Sequence, residues 1–233
     1  MKREISLDEI SDGKLYDSND MVKADCNGCD GCFACCRGMG ESVILDPLDI
    51  HRLAAGLGVT FEALLQGALT PGVPNIELHV VDGIILPNLA MTAGADKKTC
   101  TFLNSGGRCS IHSLRPGICR LFPLGRYYEG HGFRYFLQVH ECKKENKSKV
   151  KVRKWIDTPD LKTYEKFVTD WHDFLMDLEE IVKTAADAAA VREVSLYLLN
   201  RFYLSPYDKD RDFYGQFWER LEEGRAFVNQ RLK

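Results

Sequence analysis

Cys26-Asn-Gly-Cys29-Asp-Gly-Cys32-Phe-Ala-Cys35-Cys36-Arg37 places five of the chain's nine cysteines within eleven residues. Thiols this crowded repel one another once deprotonated. A soft metal ion or an iron–sulfur cluster relieves that repulsion, because thiolates are its natural ligands. Gly28 and Gly31 let the backbone curl and aim several sulfurs at one point. Two spacings can be read in the stretch. Cys26-x2-Cys29-x2-Cys32-x3-Cys36 has the intervals of a bacterial ferredoxin run, with Arg37 where proline is usual. Cys29-x2-Cys32-x2-Cys35-Cys36 is the alternative, and the two differ over Cys26 and Cys35.

Four more cysteines lie far along the chain. Cys100 and Cys109 flank the turn Ser105-Gly-Gly, Cys119 falls on a short helix expected over 113–121, and Cys142 directly follows a strand. A loop, a hairpin, a helix and a strand end can converge to complete a metal site. For any one distal cysteine the competing role is a buried apolar thiol. The sulfurs exceed the four of one structural zinc or one cubane cluster. Two sites of four is the simplest accounting; a single larger cluster, or one cluster plus spare thiols for an incoming metal, are the alternatives. Arg37, Arg115 and Arg120 adjoin cysteines and are the candidate cofactor-binding residues, since positive charge near the sulfurs tunes a cluster. Their competing roles are structural: pairing with Asp46 or Asp49 for Arg115, capping carbonyls for Arg120. His112 and His140 are near cysteines and are weaker candidate ligands. Glu129 and Glu141 form no paired acid–base arrangement, so no catalytic residue is assigned.

The remaining chain reads as scaffold. With 233 residues, 45% hydrophobic and 28% charged, it supports an ordinary core and needs no disulfides to fold. A net charge of −3 gives no global pull toward nucleic acid or an anionic membrane. The charged N-terminus lacks an apolar core, and no apolar run nears the ~20 residues of a spanning helix. The expected compartment is the cytoplasm, where CxxC spacing points to metal or redox chemistry.

Residues 1–25 read as an irregular arm with one helical turn near Leu7–Ile10. Residues 41–45 read as a short strand. Asp46 is the expected N-cap of a helix beginning at Pro47 and stopped by Gly56 and Gly58, and Thr60 caps the next, over 61–68. Asp82-Gly83 marks a hairpin between Ile76 and Met91, and residues 129–132 turn a second. The lysine-rich segment 143–154 reads as a linker or a protected edge strand. Three helices follow, over 161–182, 185–203 and 211–231. The aromatic residues Trp171, Tyr197, Phe202, Phe213, Phe217 and Trp218 fit a bundle core better than a partner or cofactor groove. The expected fold is α+β: a cysteine-rich core (26–154) with short hairpins and helices, an arm (1–25) and a C-terminal helical bundle (155–233).

Cys29-Asp-Gly-Cys32-Phe-Ala-Cys35-Cys36-Arg37, then Leu45-Asp-Pro-Leu-Asp-Ile, Cys100-Thr-Phe-Leu, Arg108-Cys109-Ser-Ile and Arg115-Pro-Gly-Ile-Cys119-Arg120-Leu-Phe-Pro123 occur in one order. That order resembles the CxxCxxCC cysteine-cluster family, described as zinc- or iron-chelating, over residues 26–142. The resemblance implies that Cys29, Cys32, Cys35, Cys36, Cys100, Cys109 and Cys119 belong to the metal site, with Cys142 as a less regular later member. Cys26 lies outside the motif. His112 stands where the family often has tyrosine, and Lys143 where proline is common. The family includes flagellin lysine-N-methylases in which an iron–sulfur cluster is implicated. That favours a 4Fe–4S cluster, in one or two sites, over zinc. The expected function is redox or cluster-dependent chemistry. The alternatives are a zinc-stabilised module that docks a protein partner through the C-terminal helices, and a lysine-N-methylase-like enzyme, for which no methyl-donor site is visible.

Overall fold

The computed structural model describes residues 6–26, 32–69, 72–95 and 97–232. Among these, helices and strands follow in the order α1 (Leu7–Ile10), β1 (Met21–Asp25), α2 (Pro47–Leu57), α3 (Phe61–Leu65), β2 (Ile76–Val81), β3 (Ile84–Leu89), α4 (Gly117–Leu121), β4 (Leu124–Tyr128), β5 (Phe133–Leu137), β6 (Ser148–Lys151), α5 (Val152–Ile156), α6 (Leu161–Thr184), α7 (Ala188–Leu199) and α8 (Phe213–Leu232). The strands form two-stranded antiparallel sheets, β1 with β6, β2 with β3 and β4 with β5. The fold is α+β, as the sequence predicts. No described helix is long and apolar enough to cross a membrane.

The chain divides into two compact units, Met1–Gly40 with Met91–Thr169, and Glu41–Ala90 with Asp170–Lys233. In the first unit, β4 and β5 pair from Leu124↔Leu137 to Tyr128↔Phe133 and turn where Glu129 N–H donates to the Gly132 carbonyl at 3.0 Å. The Phe136 ring covers Gly125, where any Cβ would overlap it. Tyr16 exchanges backbone hydrogen bonds of 2.7 and 2.9 Å with Tyr135 and so ties the N-terminal stretch to β5.

Residues 1–25 are not irregular as the sequence suggests: beyond the expected turn at Leu7–Ile10, the stretch ends in a strand. Val22 and Ala24 are buried on alternate positions of β1, and β1 pairs with β6. Two inward apolar residues make too weak a period for the sequence to show, and the partner strand lies far along the chain. β6 is the lysine-bearing edge strand anticipated in the 143–154 segment. The helix α5 was not anticipated. It buries Val152 and Ile156, and the Trp155 indole N–H is shared between the carbonyls of Leu121 and Phe122, 3.2 Å from each. The helix expected over 113–121 is split by Pro116, with a 3₁₀ turn at His112–Leu114 before it and α4 after it. Cys142 follows a turn after β5 rather than the strand itself. The core of this unit includes Phe102, Leu124, Tyr135, Tyr164 and Phe167.

In the second unit, Asp46 and Asp49 form a reciprocal capping box at the start of α2, and Gly58, at φ 67°, ends it. Gly56 is inside the helix rather than at its stop. The expected strand at 41–45 is reduced to one bridge, Ile44↔Asn88, flanked by Leu45 N–H to Pro87 and Leu89 N–H to Val43. The β2–β3 hairpin turns on Asp82 and Gly83, both at positive φ. Residues of α6 from Asp170 onward pack with α8 and the turn after α7 around Trp171, Phe174, Phe202 and Phe217, with Trp171 and Phe202 ring centroids 4.9 Å apart.

The helix expected over 185–203 ends earlier, in a wider π-type turn at Asn200–Leu204. The buried Arg220 donates to the Arg201 carbonyl in that turn and to the Ser205 and Pro206 carbonyls just after it, at 2.7 Å each. Of the aromatic residues expected in the bundle, Phe213 is also buried, Tyr197 stacks on Phe227 at 3.9 Å, and Trp218 Nε1 donates to Asp170 at 2.7 Å.

Candidate metal centre

All the described cysteines, Cys26, Cys32, Cys35, Cys36, Cys100, Cys109, Cys119 and Cys142, belong to the first unit, and none forms a disulfide. Cys29 lies outside the described residues.

Backbone pairing joins the two halves of the centre. Ala34–Cys36 makes one 3₁₀ turn, closed by Cys36 N–H to the Phe33 carbonyl at 2.9 Å. Beyond it the chain is extended. Arg37 bridges Thr99, Gly38 N–H donates to the Lys98 carbonyl at 2.8 Å, and Cys100 N–H donates to the Cys36 carbonyl at 2.8 Å. Thr99 is held from its other side by Ala93, through hydrogen bonds of 2.9 and 3.1 Å. Cys36 and Cys100, distant in sequence, are thus one hydrogen bond apart.

The segment from Cys100 to Cys109 then folds back on itself. Leu103 bridges Cys109, Asn104 N–H donates to the Arg108 carbonyl at 2.9 Å, and the Asn104 side chain accepts from Arg108 N–H at 2.9 Å. Gly107 has φ +72°, and the position a Cβ would occupy there is 3.1 Å from the Phe33 ring. Phe33 in turn carries the Arg37 guanidinium 4.6 Å from its centroid. Neither Phe33 nor Thr99 stood out in the sequence. Both act as packing and backbone partners, and only the Asn104-x-x-Gly107 turn had a visible signature.

The sulfurs of Cys35, Cys36, Cys100 and Cys109 feel one another. A hydrogen bond with Cys36, then burial, pushes the Cys35 thiol well above its ordinary value. Burial pushes the Cys100 thiol up to about 11, opposed by the N–H groups of Phe102 and Leu103 and reinforced by Cys109 and Cys35. Burial also raises Cys109, while the Ile111 N–H and the Arg115 guanidinium act to lower it. These thiols hold their protons until a cation takes their place.

Arg115 is the arginine whose charge reaches both Cys35 and Cys109. Its Nε donates to the His112 carbonyl at 3.2 Å. Arg37 covers Phe33, and Arg120 faces the Tyr164 ring at 5.6 Å. His112 is held toward its neutral form by burial and by the charges of Arg115 and Arg108. Cys119 sits on α4 and Cys142 near Lys147, whose Nζ donates to the Cys142 carbonyl at 3.4 Å. Among the described residues no three His, Cys, Asp or Glu side chains form a ready ligand group. The chemistry of the donors still fits a soft metal: thiols that influence one another, backbone N–H groups aimed at two sulfurs, and one nearby guanidinium.

A family model, CxxCxxCC, described as "Putative zinc- or iron-chelating domain", matches residues 28–149. No curated protein and no solved structure matches the chain.

Proposed function

Because the chain belongs to the CxxCxxCC family, and so to a group described by zinc or iron chelation, we propose that its cysteines hold an iron–sulfur cluster. The reading is carried by the junction at which Cys100 N–H meets the Cys36 carbonyl at 2.8 Å, drawing the first cysteine block onto the Cys100–Cys109 turn. Cys35, Cys36, Cys100 and Cys109 are the residues drawn together. Cys29, Cys32, Cys119 and Cys142 are the further proposed ligands, either completing this site or forming a second. A bound cluster would supply one-electron redox chemistry.

The chain's own contribution is electrostatic. Phe102, Leu103 and Ile111 point N–H groups at the Cys100 and Cys109 sulfurs, and Arg115 adds a positive charge beside Cys35 and Cys109. Such donors offset the negative charge of a thiolate-bound cluster and raise its potential. These donors would serve a zinc thiolate as well, and the preference for iron–sulfur rests on the resemblance to a family that includes methylases in which such a cluster is implicated.

Anaerobic purification followed by iron, sulfide and zinc analysis tests the proposal. Brown protein with about four irons and four sulfides per site is the expected result. Colourless protein with stoichiometric zinc would overturn it.

A further inference from the structure

We propose that Arg120 and Arg126 form a second, oxyanion-binding site in the first unit, built around Tyr164 and taking a carboxylate or phosphate group. Arg120 is 5% exposed, yet its Nε, Nη1 and Nη2 have no hydrogen-bond partner among the described residues. A guanidinium stays charged in a protein, and a buried charge without a partner is among the most unfavourable arrangements a fold can hold. The Tyr164 ring, 5.6 Å away, offers Arg120 a π face but no acceptor.

The surroundings are built rather than accidental. Arg126 lies over the same ring at 5.8 Å, and its Nη2 donates to the Tyr164 hydroxyl at 3.0 Å. Tyr164 is 1% exposed, so one buried ring serves two guanidinium groups. The neighbouring carboxylate, Glu165, accepts from the Tyr135 hydroxyl at 2.8 Å. The fork of Arg120 therefore lacks its complement, and the two oxygens of a carboxylate or phosphate match that fork in geometry and charge. Arg120 is not among the main influences on the Cys35, Cys100 and Cys109 thiols. The arginine that acts on Cys35 and Cys109 is Arg115, whereas Arg120 is turned to Tyr164.

The test uses the full, metal-loaded chain in chloride buffer, with inorganic phosphate and acetate as probes at matched ionic strength. One or both should raise the melting temperature of the unmodified protein saturably. Arg120→Met should abolish the saturable part and leave metal content unchanged. Phosphate acting alone would assign a phosphoryl group, and acetate acting alone a carboxylate. An equal rise in the variant, or loss of metal from it, would overturn the proposal. Calorimetric titration of the unmodified protein decides the matter even if Arg120→Met fails to fold: no saturable binding of either anion would overturn it as well.

Discussion

Gly107 is where backbone freedom decides the geometry of the thiol centre. Its φ of +72° is one that side-chain-bearing residues adopt at a cost of roughly 1–2 kcal/mol. The Phe33 ring, 3.1 Å from the Cβ position, adds a steric demand. Gly107→Ala should lower stability by about 1–2 kcal/mol, read by urea denaturation, and reduce metal retention after a chelator challenge, because Phe33 joins the first cysteine block to this turn. Unchanged retention would detach Phe33 from the centre. At this scale the sequence spoke clearly about some residues and not others. The glycine turn between Cys100 and Cys109 was legible because few residue types can occupy it. The link from Cys36 to Cys100 was not, because any residue can make a backbone hydrogen bond. Three arginines beside cysteines looked alike in sequence. Side-chain direction separates them, with Arg115 toward the thiols, Arg37 on Phe33 and Arg120 on Tyr164.

Among the elements, α2 shows both what sequence can place and what only packing reveals. The Asp46-Pro47 start and its capping box were readable, because an N-cap followed by proline satisfies the first turn locally. The surroundings of His51 were not. Its ring stacks on Phe213 at 5.1 Å and meets Tyr207 edge-on at 5.6 Å. Burial, then the Arg220 charge, lowers its pKa from the ordinary value of 6.5. The unfolded chain therefore takes up this proton more readily than the folded one. The stabilisation is complete above 6.5 and is lost as pH falls through the lower folded value. Between about pH 7.5 and about pH 5, the urea midpoint of the unmodified protein should fall further than that of His51→Phe. Parallel declines would show that this histidine does not contribute to acid sensitivity. Hairpins β2–β3 and β4–β5 were equally readable from their turns. β1 and α5 were not, being short and stabilised by partners remote in sequence or by a single tryptophan.

At the scale of the whole molecule, cysteine is confined to one unit. The second unit, Glu41–Ala90 and Asp170–Lys233, contains none, and its core rests on ordinary aromatic packing. The chain passes from the first unit to the second and back before its last crossing within α6, so no single change of composition marks a boundary. The α+β class was legible because local turns and helical periods set it. The partition was not, because it depends on which distant segments meet. The indole held between the Leu121 and Phe122 carbonyls gives the molecule its own optical gauge. Trp155 stands against the stretch just after Cys119, whereas Trp171 and Trp218 are in the other unit. Iron–sulfur chromophores absorb where tryptophan emits, and zinc thiolates do not. Reconstitution with iron and sulfide should dim the emission that Trp155→Phe removes, while zinc should leave it bright. Equal brightness in both would mean that the light from this indole meets no iron chromophore.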